Sequence, residues 1–171
     1  KKKCSVADLS VAVLDRLRHE KLICDIRDAG ARIWLIGDGD VQAALSTTIS
    51  DSGIDMLVGI GGAPEGVIAA AALKCVGGDF QGRLNFTDSS QRERAIKMGI
   101  KDPDKRWTRD DIARGPVMFC ATGVTHGSLL KGVRFSKNVA KTHSLVMRSE
   151  TGTIRFIEAQ HDMKKKPLSE Y

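Results

Sequence analysis

Short apolar runs alternate with amphipathic segments along the first 80 residues, and this alternation constrains the fold more strongly than any other feature. Three apolar runs predict strands at residues 9–14, 32–36 and 55–60. The segments that follow them predict helices at residues 19–29, 41–49 and 67–76. A strand–helix order of this kind is typical of α/β proteins with a mainly parallel sheet that carries helices on both faces.

The second part of the chain is more polar and less regular. Helices are predicted at residues 91–98 and from Thr108 onward, and a fourth strand at residues 117–121. Two further runs, at residues 143–148 and 153–158, are joined by "SETG" and predict a C-terminal β-hairpin. We expect all 171 residues to form a single domain.

Charge and composition argue against several classes of partner. The net charge is +6, but part of the excess lies in two lysine runs, at residues 1–3 and 164–166, which we expect to be solvated. Aromatic residues make up only 5% of the chain, so no stacking platform for bases is evident and nucleic acid is disfavoured. No apolar run reaches membrane-spanning length, so we expect no membrane partner. An anionic small molecule suits the positive field equally well.

The cysteines indicate a reducing environment. Cys4, Cys24, Cys75 and Cys120 form no CxxC pair. Three of them lie in apolar segments, where a free thiol behaves as a small hydrophobic group. This usage predicts a cytoplasmic protein with neither a zinc site nor a disulfide framework.

Four loops follow predicted strands, namely "DRLRH", "GDGD", "GGAPEG" and "ATGVTHG". In sheets of the predicted kind, ligands bind beyond the carboxyl ends of the strands. The loops together supply two arginines, the two aspartates of "GDGD", one glutamate and many glycines, among other residues. We regard this combination as more informative than any single loop.

Arg16 and Arg18 follow the first predicted strand. Guanidinium groups match phosphate oxygens with a fixed fork of donors, so two of them within three residues could bind a phosphate from both sides. The alternative is an exposed helix start at which both side chains are solvated. His126 and His143 are in the same way open to two interpretations, as acid–base groups or as structural histidines.

Asp38 and Asp40 flank Gly39 after the second predicted strand. We expect one of the two carboxylates to cap the following helix. The other could accept hydrogen bonds from sugar hydroxyls or bind a metal ion.

Glu65 lies in a turn rich in glycine, between Pro64 and Gly66. Proline suits the first turn of a helix, and the free N–H groups of that turn favour an anion. Glu65 could cap the helix, or it could hold a hard divalent cation beside a bound phosphate. The spacing matches neither the Walker phosphate loop nor the dinucleotide fingerprint, so a nucleotide is not implied.

Six blocks of sequence then point to a family. They are "RHEKLI", "GARIWLIGDGDV", "DMLVGIGGAPEGVIAAAALKCVGG", "QGRL", "FCATGVTHGSLLKGVR" and "THSLVMRSETGTIRFIEAQH". In this order they resemble class II fructose-1,6-bisphosphatase, the bacterial type that includes the cyanobacterial fructose/sedoheptulose bisphosphatases. The resemblance runs from about residue 9 to residue 161 and implies the lithium-sensitive sugar-phosphatase fold, with stacked layers of helices and sheets.

The resemblance also implies roles for individual residues. Glu65 matches a metal ligand of the catalytic centre. The positions that match substrate contacts are Arg16, Leu17, Arg18, Asp38, Gly39, Asp40 and Gly62. Leu17 stands where the family usually has proline, and Lys141 where threonine is common; neither change replaces a carboxylate.

The implied activity is hydrolysis of the 1-phosphate of fructose 1,6-bisphosphate, or of sedoheptulose 1,7-bisphosphate, with Mn²⁺ or Mg²⁺ as cofactor. Such enzymes would serve gluconeogenesis or the Calvin cycle, and we expect a cytoplasmic homo-oligomer.

The family's chain is longer, and its N-terminal half carries further metal-binding carboxylates in a "DPxDGT"-type motif. The nearest match here, "DPDK" at residues 102–105, lacks the Gly-Thr and is interpreted as a turn. We therefore expect this chain to be the C-terminal half, inactive without the N-terminal half. The alternative is a catalytically silent domain that binds sugar phosphates.

Overall fold

Three parallel strands form the first sheet of the protein. The computed structural model describes residues 3–165. Strand β1, Ser10–Leu14, lies between β2, Arg32–Ile36, and β3, Met56–Leu57. The register pairs Val13 with Leu35 and Ala12 with Leu57. The parallel part of the predicted sheet is therefore confirmed, although β3 is shorter than the predicted run at residues 55–60.

Five α-helices lie close to their predicted positions. They are α1, Glu20–Asp28, α2, Asp40–Ser46, α3, Ala63–Val76, α4, Ser89–Lys97, and α5, Arg109–Ile112. The predicted cap at Thr108 is confirmed, because the Thr108 hydroxyl accepts a hydrogen bond from the Asp111 N–H at 3.3 Å and the Asp111 carboxylate binds back to the Thr108 N–H at 2.9 Å. Short 3-10 helices precede β1 and α1, at Val6–Asp8 and Leu17–His19.

Helices cover both faces of the parallel sheet, as predicted. On one face, Ile23 of α1 packs against Val11 and Val13 of β1. On the other face, Leu57 of β3 packs against a cluster that α2 and α3 supply. Alternate residues of a strand point to opposite faces, so the continuous apolar run in β1 is explained by cover on both sides.

The fourth predicted strand belongs to a different sheet, and the prediction of one mainly parallel sheet is wrong in this respect. The second sheet is antiparallel and contains β6, Met118–Thr122, β7, Arg134–Ser136, β8, Val139–Arg148, and β9, Thr153–Asp162. The β8–β9 hairpin was predicted, but it is longer than expected. A two-strand antiparallel pair, β4, Gln81–Gly82, with β5, Trp107–Thr108, was not predicted.

The physical reason for the misplaced strand lies in the partner that the tertiary structure gives it. β8 has ten residues and pairs with β6 on one side and with β9 on the other. The pairing of β6 with β8 is antiparallel, with Phe119 opposite Met147. Such a pairing depends on residues that are distant in sequence, which the apolar run of β6 does not reveal.

Helix α3 lies between the two sheets. Ala72 and Cys75 pack against Phe119, Leu145 and Met147 of the antiparallel sheet. Ala69 and Leu73, on the same helix, pack toward the parallel sheet. The small side chains on α3 allow both sheets to pack close to the helix. The result is a layered α/β arrangement.

The cysteines are all free, but only Cys75 is buried, and burial raises the pKa of its thiol. Cys4, Cys24 and Cys120 are exposed. The expectation that thiols in apolar segments act as small hydrophobic groups is therefore wrong for Cys24 and Cys120, because those side chains project from the outer faces of a helix and a strand.

Within residues 3–165, no helix has the length and apolar character that a membrane crossing requires. The predicted lysine runs at residues 1–3 and 164–166 lie partly outside the described residues; Lys164 and Lys165 are exposed.

Two methionines of the antiparallel sheet provide a stability test. Met147 faces α3 and is 1% exposed, whereas Met118 lies on the outer face and is 70% exposed. Met147→Ala should lower the free energy of unfolding by about 2–5 kcal/mol, because it leaves a cavity in the core. Met118→Ala should change it by less than about 0.5 kcal/mol. Urea unfolding followed by circular dichroism measures both, and equal losses would contradict the assignment of the inner face.

Candidate functional site

The loops after β1, β2 and β3 meet at the carboxyl end of the parallel sheet. The strands are ordered β2-β1-β3, and the helices that follow the neighbouring strands β1 and β3 pack on opposite faces. This arrangement is a topological switch point, which in open α/β sheets is the position of the ligand-binding crevice. All eight residues with a role implied by the resemblance belong to these three loops or to the helix starts that follow them.

Arg16 connects the first loop to the second. Its Nη1 donates to the Asp15 carbonyl at 2.8 Å, and its Nη2 donates to the Gly37 carbonyl at 2.8 Å. These bonds hold the guanidinium group at the rim of the crevice and leave its outer edge exposed.

Arg18 connects the first loop to the third. Its Nε donates to the Ile60 carbonyl at 2.7 Å, and no group within the described residues binds its two terminal nitrogens. Leu17, between the two arginines, is 86% exposed, so an apolar side chain stands in solvent beside them. The guanidinium fork of Arg18 is held by one nitrogen and is open to an anion through the other two.

Neither aspartate of the second loop caps α2 through its side chain, so that prediction is wrong. Gly39 takes the N-cap position with a left-handed φ of 84°. Asp38 instead accepts a hydrogen bond from the Gly39 N–H at 2.7 Å, and Asp40 accepts one from the Val41 N–H at 2.9 Å. The glycine displaces both carboxylates by one position from the place where a cap would act.

Asp40 also faces the third loop. Its Oδ2 lies 3.9 Å from the point that a Cβ at Gly61 would occupy. The second and third loops therefore lie side by side, with a carboxylate directed at the glycine pair.

Glu65 lies in the first turn of α3, which begins at Ala63 with Gly62 as N-cap. Its carboxylate folds back over Gly62, where any Cβ would overlap Oε2. No side chain or backbone N–H within residues 3–165 donates a hydrogen bond to it. The structure therefore favours a carboxylate that is free to bind a ligand over one that caps the helix.

Sequence reasoning missed His19, which is fully buried directly after Arg18. Its ring contacts the backbone of both Leu14 and Ile60. The sequence offered one signal for His19, its position at a predicted helix start. Because the neighbouring residues are polar, this position did not indicate that the side chain is buried.

The loop after β6 reaches the same end of the protein from the antiparallel sheet. Gln42 Nε2 in α2 donates to Ser128 Oγ at 2.7 Å. His126, in this loop, is exposed, whereas His143 accepts a hydrogen bond from the Lys131 N–H at 3.1 Å and stacks on Phe156. Of the two interpretations of His143, a structural histidine or an acid–base group, these contacts favour the structural one.

In the part of the chain that the structure describes, no three residues among histidine, cysteine, aspartate and glutamate are grouped closely enough to hold a metal ion. The carboxylates near the strand ends include those of Asp38 and Asp40, around the start of α2, and that of Glu65, at the start of α3.

An α/β site with arginines and carboxylates at a strand switch point is suited to a phosphorylated, hydroxyl-rich ligand. Residues 1–161 match the family described as bacterial fructose-1,6-bisphosphatase, glpX-encoded. The chain belongs to this family, and the resemblance inferred from its sequence blocks is confirmed.

Curated relatives agree with the family assignment. The chain is 47% identical to a protein of Synechococcus sp. (strain JA-3-3Ab) over 91% of its own length and 49% of that protein's. It is 46% identical to a protein of Synechocystis sp. over 95% of its length and 51% of that protein's. Both are named D-fructose 1,6-bisphosphatase class 2/sedoheptulose 1,7-bisphosphatase. The chain spans about half the length of the curated relatives it matches.

The left-handed conformation of Gly39 can be tested by substitution. Gly39→Ala should lower the free energy of unfolding by about 1–2 kcal/mol, because a Cβ is disfavoured at a φ of 84°. Gly61→Ala is the control: its φ is not left-handed, and its nearest neighbour would lie at 3.9 Å. The control should be neutral or slightly stabilising. Thermal and urea unfolding measure both, and equal effects would argue against strain at position 39.

Proposed function

We propose that this chain is the C-terminal, substrate- and metal-binding half of a phosphatase that hydrolyses the 1-phosphate of fructose 1,6-bisphosphate. Sedoheptulose 1,7-bisphosphate is the second substrate, as the names of the relatives suggest. The observation that carries the proposal is that Arg18 and Glu65 lie on the loops that follow the neighbouring strands β1 and β3. Within residues 3–165, neither the two terminal nitrogens of Arg18 nor the Glu65 carboxylate has a hydrogen-bond partner.

The arginines bind the phosphate that is not cleaved. Arg18 is held by its Nε and turns its remaining donors outward, which is the arrangement that a phosphate oxygen pair requires. Arg16 adds a second positive charge at the rim. Leu17 offers an apolar contact to the carbon face of the sugar.

Asp38, Gly39 and Asp40 orient the sugar. Each carboxylate uses one oxygen on a backbone N–H of its own loop and keeps further lone pairs for hydroxyl groups. The backbone of Gly62 contacts the substrate at the start of α3, where the helix N-terminus favours negative charge.

The donor set fits Mg²⁺ or Mn²⁺. Glu65, at a helix start, has a carboxylate with no hydrogen-bond partner among the described residues, and Asp40 points toward the adjacent glycines. Both supply the oxygen ligands that hard cations prefer. When bound, such a cation polarises a phosphate and lowers the pKa of its water. Glu65 would be a ligand from this chain, and the N-terminal half would supply others.

The remaining surface suits a partner that covers it. Met118 and Phe135 lie on the outer side of the antiparallel sheet and are 70% and 73% exposed. We propose that the N-terminal half completes the lithium-sensitive phosphatase fold against this chain, and that the whole enzyme is a cytoplasmic homo-oligomer serving gluconeogenesis or the Calvin cycle.

The metal role of Glu65 is tested by Glu65→Gln in the complete enzyme. The change keeps the shape of the side chain but weakens a metal ligand, so activity with Mn²⁺ should fall by about two orders of magnitude. Glu20→Gln is the matched control, since Glu20 also lies exposed in the first turn of a helix. Phosphate release measures activity, and thermal unfolding should show little change in either variant. Full activity of Glu65→Gln would rule the metal role out.

The phosphate role of Arg18 is tested by Arg18→Ala. A charge-assisted contact is worth about 1.5–3 kcal/mol, so the KM for fructose 1,6-bisphosphate should rise about tenfold or more. The penalty should be smaller for fructose 1-phosphate, which lacks the second phosphate. Arg27→Ala, in the last turn of α1, is the control. An equal penalty for both substrates would place Arg18 away from the second phosphate.

The proposal that catalysis needs both halves of the enzyme is tested with the 171-residue chain alone. We expect it to release no phosphate from fructose 1,6-bisphosphate at saturating Mn²⁺, because a fixed cation needs more ligands than this chain supplies. Calorimetric titration should still detect weak binding of the bisphosphate. Metal-dependent turnover by the chain alone would contradict the proposal that the N-terminal half is needed for catalysis. Binding without turnover in the complete protein would instead favour a silent sugar-phosphate-binding domain.

A further inference from the structure

His19 is buried in a position where its ring joins the end of β1 to the loop after β3. Among residues 3–165, the buried polar side chains are His19 and Ser46, and His19 is 0% exposed. It follows β1 at the end of the 3-10 helix Leu17–His19. Its two ring nitrogens contact the backbone of Leu14, at the end of β1, and of Ile60, in the loop after β3.

The neighbours of the ring define its tautomer. Nδ1 lies 2.8 Å from the Leu14 carbonyl oxygen, which can only accept, so Nδ1 carries the proton. Nε2 lies 2.8 Å from the Ile60 nitrogen, whose N–H can only donate, so Nε2 is the acceptor. A second Ile60 atom, the carbonyl oxygen, lies 3.1 Å from Nε2, but the N–H is the closer partner.

Ile60 is also bound by the residue next to His19. Its carbonyl accepts from Arg18 Nε at 2.7 Å. Arg18 and His19, which are consecutive in the chain, therefore bind the carbonyl and the N–H of Ile60, a residue about forty positions away. Gly59 permits this approach, since a Cβ there would lie 3.3 Å from the ring carbon Cε1.

The position of Ile60 sets the path of the backbone that leads into α3. Gly61 and Gly62 come next, Gly62 is the N-cap of α3, and Glu65 lies in the first turn of that helix. A flexible glycine pair does not hold its own path, so an anchor immediately before it sets the direction of the loop. The imidazole is that anchor, and it also fixes the distance between the Arg18 loop and the Glu65 loop.

We propose that His19 is a positioning residue of the phosphatase site: it sets the path of the Ile60–Gly62 backbone and thereby places Glu65 opposite Arg18. It touches neither substrate nor metal. The inference about activity rests on the proposed function, whereas the inference about backbone position does not.

The first experiment is an NMR measurement on this chain and needs no substrate. A long-range ¹H–¹⁵N spectrum should show the Nδ1–H tautomer of His19. In His19→Asn the side chain is too short to reach Ile60, so exchange of the Ile60 amide should accelerate about tenfold. In His19→Gln the amide oxygen takes the place of Nε2, and exchange should return to within about threefold of the wild type. The Val13 amide is the internal control for global unfolding.

The second experiment measures kinetics in the complete enzyme with Mn²⁺ and fructose 1,6-bisphosphate. His19→Asn should lower kcat about tenfold or more, and His19→Gln should restore most of it. Ser46→Ala is the control for loss of a buried polar group, because the Ser46 hydroxyl donates to the Gln42 carbonyl within α2 at 3.0 Å. It should lower stability without changing kcat.

The outcomes separate the two proposals. A wild-type enzyme that does not hydrolyse the bisphosphate would refute the proposed function, and the exchange of Ile60 would then decide the positioning role alone. The positioning role is overturned if the tautomer carries its proton on Nε2, if His19→Asn leaves the Ile60 amide protected, or if an active enzyme shows equal kcat in the Asn variant and the wild type. The tautomer spectrum uses unmodified protein, so the test holds even if a variant fails to fold.

Discussion

The burial of α3 between the two sheets is the constraint on which the rest of the structure depends. Ala70 and Ala72 of this helix are completely buried, and its two sides contact different hydrophobic clusters. A helix enclosed in this way cannot shift without opening both clusters, because protein interiors are close-packed. The N-terminus of α3 carries Gly62 and Glu65, so the core that stabilises the protein also holds the candidate metal ligand in place.

The site around that helix start is built largely from backbone contacts. Arg16 and Arg18 each use part of the guanidinium group to join two loops and leave the rest exposed. His19 uses both nitrogens on backbone groups and leaves nothing exposed. Loops rich in glycine gain little order from their own side chains, so bonds from neighbouring residues supply the rigidity that a binding site needs.

Local sequence patterns predicted the first part of the fold well and the second part less well. The apolar runs in β1 and β2 and the glycines after α3 are signals within a short stretch of chain, and each element lies where it was predicted. The partner of β6 was not predicted, because pairing with β8 depends on residues more than twenty positions away in the chain. Asp38 and Asp40 have the residue type expected of a helix cap, but the left-handed Gly39 between them takes the N-cap position of α2.

The sequence by itself determined the family, the order of the strands and helices that build the parallel sheet, and the position of Glu65 in the first turn of a helix. These features depend on periodicity and on contiguous motifs, which need no knowledge of distant contacts. Only the tertiary structure decided that α3 separates two sheets, that Glu65 has no partner among the described residues, and that His19 joins the end of β1 to the loop after β3. The reason is physical. Burial and the pairing of polar groups depend on residues that lie far apart in the chain, so they cannot be predicted from a residue's neighbours in sequence.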